Sequence, residues 1–193
     1  MSAVMIGKDE MNLIFKTIGY FISLPARVKG MRFGSNSFIH FGYDFFFVSL
    51  KNVSVGTNVL IGKKAWIQTI GNARILIGDN TNIGRNFTIS SNRSITVGKN
   101  VLISYGVSIL DHDHEFRDVG IPPINADLTD GKPIEIGDDC FIGASCFILK
   151  GVCLGTHCIV AANSVVTKSF PDYSLLGGSP AKLIRSLNEP LNL

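Results

Sequence analysis

The sequence predicts an all-β parallel solenoid, and three observations predict it. An aliphatic residue followed by glycine or another small residue recurs every six positions: Ile136, Ile142, Ile148, Leu154, Val160 and Val166 form one unbroken run, with Gly137, Gly143, Gly155 and Ala161 directly after four of them. A second position, four residues after the aliphatic one, is nearly always small: Val59, Ala65, Thr81, Val101, Val107, Cys140, Cys146, Val152, Cys158 and Ser164. The register then breaks for about 24 residues between Ile109 and Ile134. A helix repeats at 3.6 residues and a flat strand at 2, so neither accounts for a period of six. One short strand plus one tight turn does. Three such faces close a coil, and successive coils stack in parallel around an aliphatic interior.

The elements follow in chain order. Residues 9–24 place Ile14, Ile18, Phe21 and Ile22 on one helical face, with Met11 and Phe15 adjoining. This N-terminal unit, residues 1–30, is expected to cover the first coil. A rival reading is an interfacial membrane helix, because Lys8, Lys16, Arg27 and Lys29 surround the apolar face. The β-helix domain is expected over 31–171. Its earlier runs are Phe33, Ile39, Phe45; Val55, Ile61, Ile67; Ile77, Ile83, Ile89; and Val97, Ile103, Ile109. The slips between these runs read as turn insertions or bulges. Clusters such as Gly78-Asp79-Asn80 supply turn chemistry. Phe170-Pro171 ends the repeat, because proline donates no ladder hydrogen bond. Residues 172–193 are expected to cap the last coil, with Gly177-Gly178-Ser179-Pro180 as a turn and 181–187 as a short helix.

Composition narrows the function. The 193 residues suit one domain, and 46% hydrophobic against 17% charged residues, with mean hydropathy +0.29, exclude wholesale disorder. A net charge of +3 and pI near 8.7 are too mild for a nucleic-acid footprint, so any anionic partner is expected to be small. Apolar runs fall short of the ~20 residues that span a bilayer. Asp9 and Glu10 stand where a signal peptide needs positive charge, so a cytoplasmic location is expected. Cys140, Cys146, Cys153 and Cys158 lack CxxC spacing; three fall on the small inward position and read as packing residues.

The interruption, 111–133, opens with Asp111, His112, Asp113 and His114, which hold half of the chain's four histidines. A long loop inside a regular solenoid is a functional candidate. Three readings compete. The cluster is a solvated turn, a metal site short of the usual three or four ligands, or a catalytic base, since neutral imidazole accepts a proton near pH 7. There is no GxSxG elbow.

The segments VLISYGVSILDHDHEF (101–116) and IVAANSVVTKSFPDYSLLGGSPAKLIR (159–185), with the repeat over 33–185, resemble the hexapeptide-repeat acyltransferases, in particular the maltose, galactoside and polysaccharide O-acetyltransferase branch. The resemblance implies a left-handed parallel β-helix, a hand opposite to the general crossover rule. It implies an acetyl-CoA-dependent O-acetyltransferase acting on a sugar hydroxyl in surface-polysaccharide biosynthesis, without a metal. The enzyme would be a homotrimer with sites at subunit junctions, in the cytoplasm or peripheral at the inner membrane face. His114 falls on the family's catalytic histidine, with His112 in reserve. The base would deprotonate the acceptor hydroxyl as it attacks the thioester, a backbone N–H stabilising the oxyanion. Asn92, Ser91 and Asn86 are the implied acceptor-binding residues, although the branch often carries Asp where Asn92 stands. Ala144, Ala162, Thr167, Lys168, Lys182 and Arg185 match the coenzyme A segment, with Ala144 where Ser is frequent. The same family background leaves open N-acetylation of an amino sugar or a serine-type acceptor, a β-helix scaffold without turnover, and a metal-dependent lyase of the γ-carbonic-anhydrase type.

Overall fold

The computed structural model describes residues 12–44 and 49–188, with side chains from residue 17 onward. Phe45 of the first repeat run, Met11, and the side chains of Ile14 and Phe15 lie outside these. The described chain winds as a triangular solenoid with three parallel sheets. The first face orders β1 (Arg32–Phe33), β3 (Val53–Val55), β6 (Arg74–Ile77), β9 (Ser94–Val97), β12 (Ile134–Ile136) and β15 (Cys153–Leu154). The second stacks β2 (Phe38–Ile39), β4 (Leu60–Ile61), β7 (Asn82–Ile83), β10 (Leu102–Ile103), β13 (Phe141–Ile142), β16 (Ile159–Val160), β18 (Ser174–Gly178) and β19 (Ala181–Ser186). The third holds β5 (Trp66–Thr69), β8 (Thr88–Ser91), β11 (Ser108–Leu110), β14 (Phe147–Leu149) and β17 (Val165–Val166).

The six-residue period becomes three buried ladders. Val55, Ile77, Val97, Ile136 and Leu154 stack in register on the first face. Ile39, Ile61, Ile83, Ile103, Ile142, Val160 and Leu176 do so on the second. Ile67, Ile89, Ile109, Ile148 and Val166 do so on the third. Nearly all are shielded from solvent, and each such side chain contributes about 1.5–3 kcal/mol relative to exposure. Cys140, Cys146 and Cys158 fill the second inward position, their thiols donating to the carbonyls of Gly155, Ala161 and Pro171 at 3.0–3.1 Å.

Two corners show why the turn residues are what they are. Between the first and second faces, Asn36, Asn58, Asn80 and Asn100 adopt φ of 56–57°, a left-handed conformation asparagine tolerates. Their amides form a ladder, each Nδ2 donating to the next Oδ1 at 3.0–3.1 Å, and Asn100 donating to Asp139 at 2.9 Å. Between the second and third faces, a Cβ on Gly62 or Gly84 would stand 2.6 Å from the backbone nitrogen of Arg85 or Tyr105 in the next coil. Only glycine fits that approach. The third corner, from the third face back to the first, is permissive. The register slips after Ile67 and Ile89 both fall there, as turns at 70–73 and 92–93, and so does the 111–133 insertion.

The two ends depart from expectation in detail. The C-terminal segment 181–187 is not a helix. Residues 181–186 form β19, antiparallel to β18 with Gly178 opposite Ala181 and Gly177 opposite Lys182. The Ser179-Pro180 turn folds the chain straight back, and β18 adds in parallel beside β16, so a hairpin terminates the sheet edge that a helix was expected to cover. At the N-terminus, α1 (Asn12–Ile22) and α2 (Leu24–Val28) lie over the first coil. Among the described side chains, the contact is made by small residues, with Ile18 and Phe21 of the apolar stripe left out of it. Gly19 sits so close to the Phe38 ring that a Cβ would approach it to 2.7 Å. Ser23 Oγ donates to Gly19 O and accepts from the Ile39 N–H, and Ala26 is buried. Ile18 and Phe21 remain 48% and 62% exposed. No described helix is long and apolar enough to cross a membrane.

Candidate active site

β11 ends at Leu110, and the next residue is a buried carboxylate held by three donors. The Asp111 side chain is 0% exposed. Its Oδ2 accepts from Ser91 Oγ at 2.6 Å and from the Arg93 N–H at 2.9 Å, and its Oδ1 accepts from the Asn92 N–H at 2.7 Å. The donors come from the end of β8 and the turn after it, one coil back. His112 Nδ1 lies 3.0 Å from Asp111 Oδ1, its side chain 11% exposed. A carboxylate already taking three donors acts as acceptor here, so Nδ1 carries the proton toward it and Nε2 keeps the lone pair.

The insertion is ordered by backbone pairing as well. Thr129 N donates to Asp113 O, Glu115 N to Asp127 O and Lys132 N to Asp111 O, each at 2.8 Å. His114 forms an isolated antiparallel bridge with Leu128. Lys150, in the turn after β14, pairs with the Asp113 carboxylate and ties the loop to the following coil. The backbone N–H of Arg117, then that of Phe116, holds the Glu115 carboxyl below its usual range. The folded loop and the third face enclose a cleft of about 590 Å³, lined by Trp66, Gln68, Ser90, Leu110, His112 and His114 among others. That volume lies within the ~300–1,000 Å³ of small-molecule sites.

Both candidate histidines therefore meet in one cleft, but only His112 has a carboxylate on its ring; His114 is solvent-exposed. The three residues expected to bind acceptor do not line the cleft. Ser91 is buried on Asp111, Asn92 Nδ2 donates to Thr129 O at 3.0 Å and so anchors the loop, and Asn86 occupies an exposed left-handed turn (φ 55°) on the opposite edge of the third face. Ala144 and Ala162 stack on that same edge, where Asn163 N donates to Ala144 O at 2.8 Å. Thr167 and Lys168 lie beyond β17 on the loop's edge, Lys168 over the Phe170 ring at 5.6 Å. Lys182 and Arg185 project from the cap strand β19. Sequence reasoning missed Trp66, Gln68 and Ser90. Their signal was available: they are outward positions flanking the inward Ile67 and Ile89.

A hydrogen bond with Cys158, then burial, pushes the Cys140 thiol up, and burial does the same at Cys146 and Cys153. The bond with Cys140 pulls the Cys158 thiol down to about 7, but Cys158 is 0% exposed in the solenoid interior and lines no part of the cleft, so it meets no substrate there. Among the described residues no group of three or more His, Cys, Asp or Glu is placed to hold a metal ion.

Comparison with known proteins fits this geometry. A hexapeptide-repeat model of succinyl-transferase matches residues 74–111 and 133–168, the two sides of the insertion. A putative lipopolysaccharide biosynthesis O-acetyl transferase of Escherichia coli K12 is 30% identical over 149 residues, 74% of this chain and 76% of that protein. The chain belongs to the hexapeptide-repeat acyltransferase family. Its solenoid is accordingly a left-handed parallel β-helix. The galactoside O-acetyltransferase of E. coli K12 is 33% identical over 139 residues, 67% of this chain and 64% of that protein. A hexapeptide-repeat acetyltransferase of Vibrio cholerae, solved with acetyl coenzyme A, is 27% identical with a TM-score of 0.62, covering 93% of this chain and 82% of that one. The chain spans 45% to 76% of the length of the first curated relatives it matches.

Proposed function

We propose that this hexapeptide-repeat protein is an acetyl-CoA-dependent O-acetyltransferase that acetylates a sugar hydroxyl during surface-polysaccharide assembly, working as a homotrimer. The observation that carries the reading is the Asp111–His112 pair, an imidazole with its Nδ1 fixed on a buried carboxylate and its ring on a cleft. That arrangement suits a general base. The relatives named for lipopolysaccharide and galactoside O-acetylation support the acceptor class, and the Vibrio protein's bound acetyl coenzyme A supports the donor.

The chemistry balances without a covalent enzyme intermediate. His112 Nε2 takes the proton of the acceptor hydroxyl as its oxygen attacks the thioester carbonyl carbon. The tetrahedral oxyanion, held by a backbone N–H, collapses and the C–S bond breaks. The leaving sulfur takes the proton back from imidazolium and departs as the coenzyme A thiol. We assign the base to His112 rather than His114, because exposed His114 lacks the carboxylate that fixes a tautomer. His114 lies on the cleft rim as an acceptor contact. Ala144 and Ala162 would let the pantetheine arm approach backbone, and Thr167, Lys168, Lys182 and Arg185 would meet its phosphates.

Thiol release from acetyl-CoA, measured with sugar, amino-sugar and serine acceptors, tests this. Loss of a positioned base typically removes 10²–10⁴ in rate, so His112→Ala is expected to lose about 10² or more in kcat, and His114→Ala about tenfold or less. A His112→Ala enzyme that transfers at the parent rate, or a parent that acetylates only amines, overturns the assignment.

A further inference from the structure

The cleft that holds His112 also reaches Trp66 on β5. Trp66, the chain's single tryptophan, lines it and is 40% exposed. It stands in register with Thr88 on β8, which stands in register with Ser108 on β11. Two strand spacings therefore separate the tryptophan's strand from the one that delivers His112, roughly 10 Å sideways. His112 is displaced further along the chain, because β11 ends two residues before it.

The surroundings of the indole are suited to a sugar. A pyranose has a flat face of C–H groups and a rim of hydroxyls. The indole offers a flat apolar face, and Ile70, Leu110 and Leu128 continue the apolar surface toward the histidines. Between the two ends sits Gln68, whose Oε1 accepts from Ser90 Oγ at 2.8 Å. That bond orients the amide, leaving its NH₂ group to donate to hydroxyl oxygens. The cleft is thus apolar along much of its length, polar at a mid-point, and carries His112, Asp113 and His114 at its far end.

We infer that the acceptor is a glycan of at least two sugar units, with the reacting hydroxyl at His112 and a neighbouring pyranose stacked on Trp66. The inference rests on the acetyltransferase reading and names its substrate class more narrowly. Trp66 is then a determinant of acceptor length, distinct from the groups that perform the transfer.

A single tryptophan makes the test direct. The intrinsic fluorescence of the full-length protein is titrated with maltose, cellobiose and lactose, and with the methyl glycosides of glucose and galactose. Thiol release is followed in parallel for the parent, Trp66→Phe and Trp66→Ala, each checked by thermal unfolding. At least one disaccharide is expected to give a saturable change at about tenfold lower concentration than its monosaccharide, the ~1.4 kcal/mol of one stacking contact. Trp66→Ala should raise KM for that disaccharide about tenfold, leaving KM for acetyl-CoA and kcat/KM for the monosaccharide within about twofold. Trp66→Phe should fall between. Equal handling of one-unit and two-unit sugars, no fluorescence change with any disaccharide, or a Trp66→Ala defect confined to acetyl-CoA overturns the inference and leaves the acetyltransferase standing. Transfer to serine in place of every sugar removes both.

Discussion

Asp111 takes hydrogen bonds on both oxygens, and neither oxygen can be exchanged for a donor. Oδ1 faces the Asn92 N–H and the His112 ring; Oδ2 faces the Ser91 hydroxyl and the Arg93 N–H. Asp111→Asn would set an NH₂ against a backbone N–H on whichever side it lies, leaving buried donors unsatisfied at a cost of about 1–3 kcal/mol. It would also release the imidazole tautomer. The variant is expected to lose Tm by roughly 2–4 °C per kcal/mol and kcat by at least about tenfold, whereas His112→Ala loses rate without comparable loss of Tm. Unchanged melting and turnover in Asp111→Asn would contradict the role given to this carboxylate. The density of His and Asp in residues 111–114 was legible in the sequence. The choice between the histidines was not, because it depends on donors 18 to 20 residues away that only the coil stacking brings to Asp111.

At the scale of elements, the strands were legible and the ends were not. A period of six states which residues face inward, so the ladders as far as Val160 and Val166 follow directly, whereas Leu176, beyond the Phe170-Pro171 break, does not. The cap has no such period: the segment AKLIR reads equally well as helix or strand, and the turn at Ser179-Pro180 together with the open edge of β16 decides for a hairpin. The N-terminal helix shows a different gap. Its stripe was legible, but the first coil packs on Gly19 and Ala26 and leaves Ile18, Tyr20 and Phe21 outward, with half-buried Arg27 packed over the Tyr20 and Phe33 rings and exposed Lys29 following it in the chain. We propose that this outward face rests on an anionic membrane surface, where acceptor glycans on lipid carriers would be met. Flotation with phosphatidylglycerol-containing vesicles is expected for the parent and is reduced several-fold in Phe21→Glu, since one charge replaces the most exposed apolar side chain among the described residues of α1. Equal flotation of the two, or none for the parent, would remove the membrane role.

At the scale of the whole molecule, the three faces are not equivalent. The outward row of the first face reads Ser54, Leu76, Thr96, Glu135, Cys153, a solvated mixture. The outward row of the second reads Phe38, Leu60, Asn82, Leu102, Phe141, Ile159, Leu175, apolar at every position but one. Leu102 and Phe141 there are 49% and 38% exposed. An apolar row interrupted only at Asn82 suits an association surface, and the proposed trimer supplies its occupant, two further copies of this chain. The sequence held the row, since each member precedes an inward aliphatic residue, but not the closure that aligns it or the left hand of the coil, which general crossover rules would assign the other way. Leu102→Glu places a carboxylate in the middle of the row without touching the ladder behind it. Multi-angle light scattering should find the parent at three chains and the variant at one, with Tm of the separated coil lowered and transfer lost along with the subunit junctions. A parent that elutes as one chain while fully active would show that each solenoid completes its own site. A variant that stays trimeric would move the interface to another face.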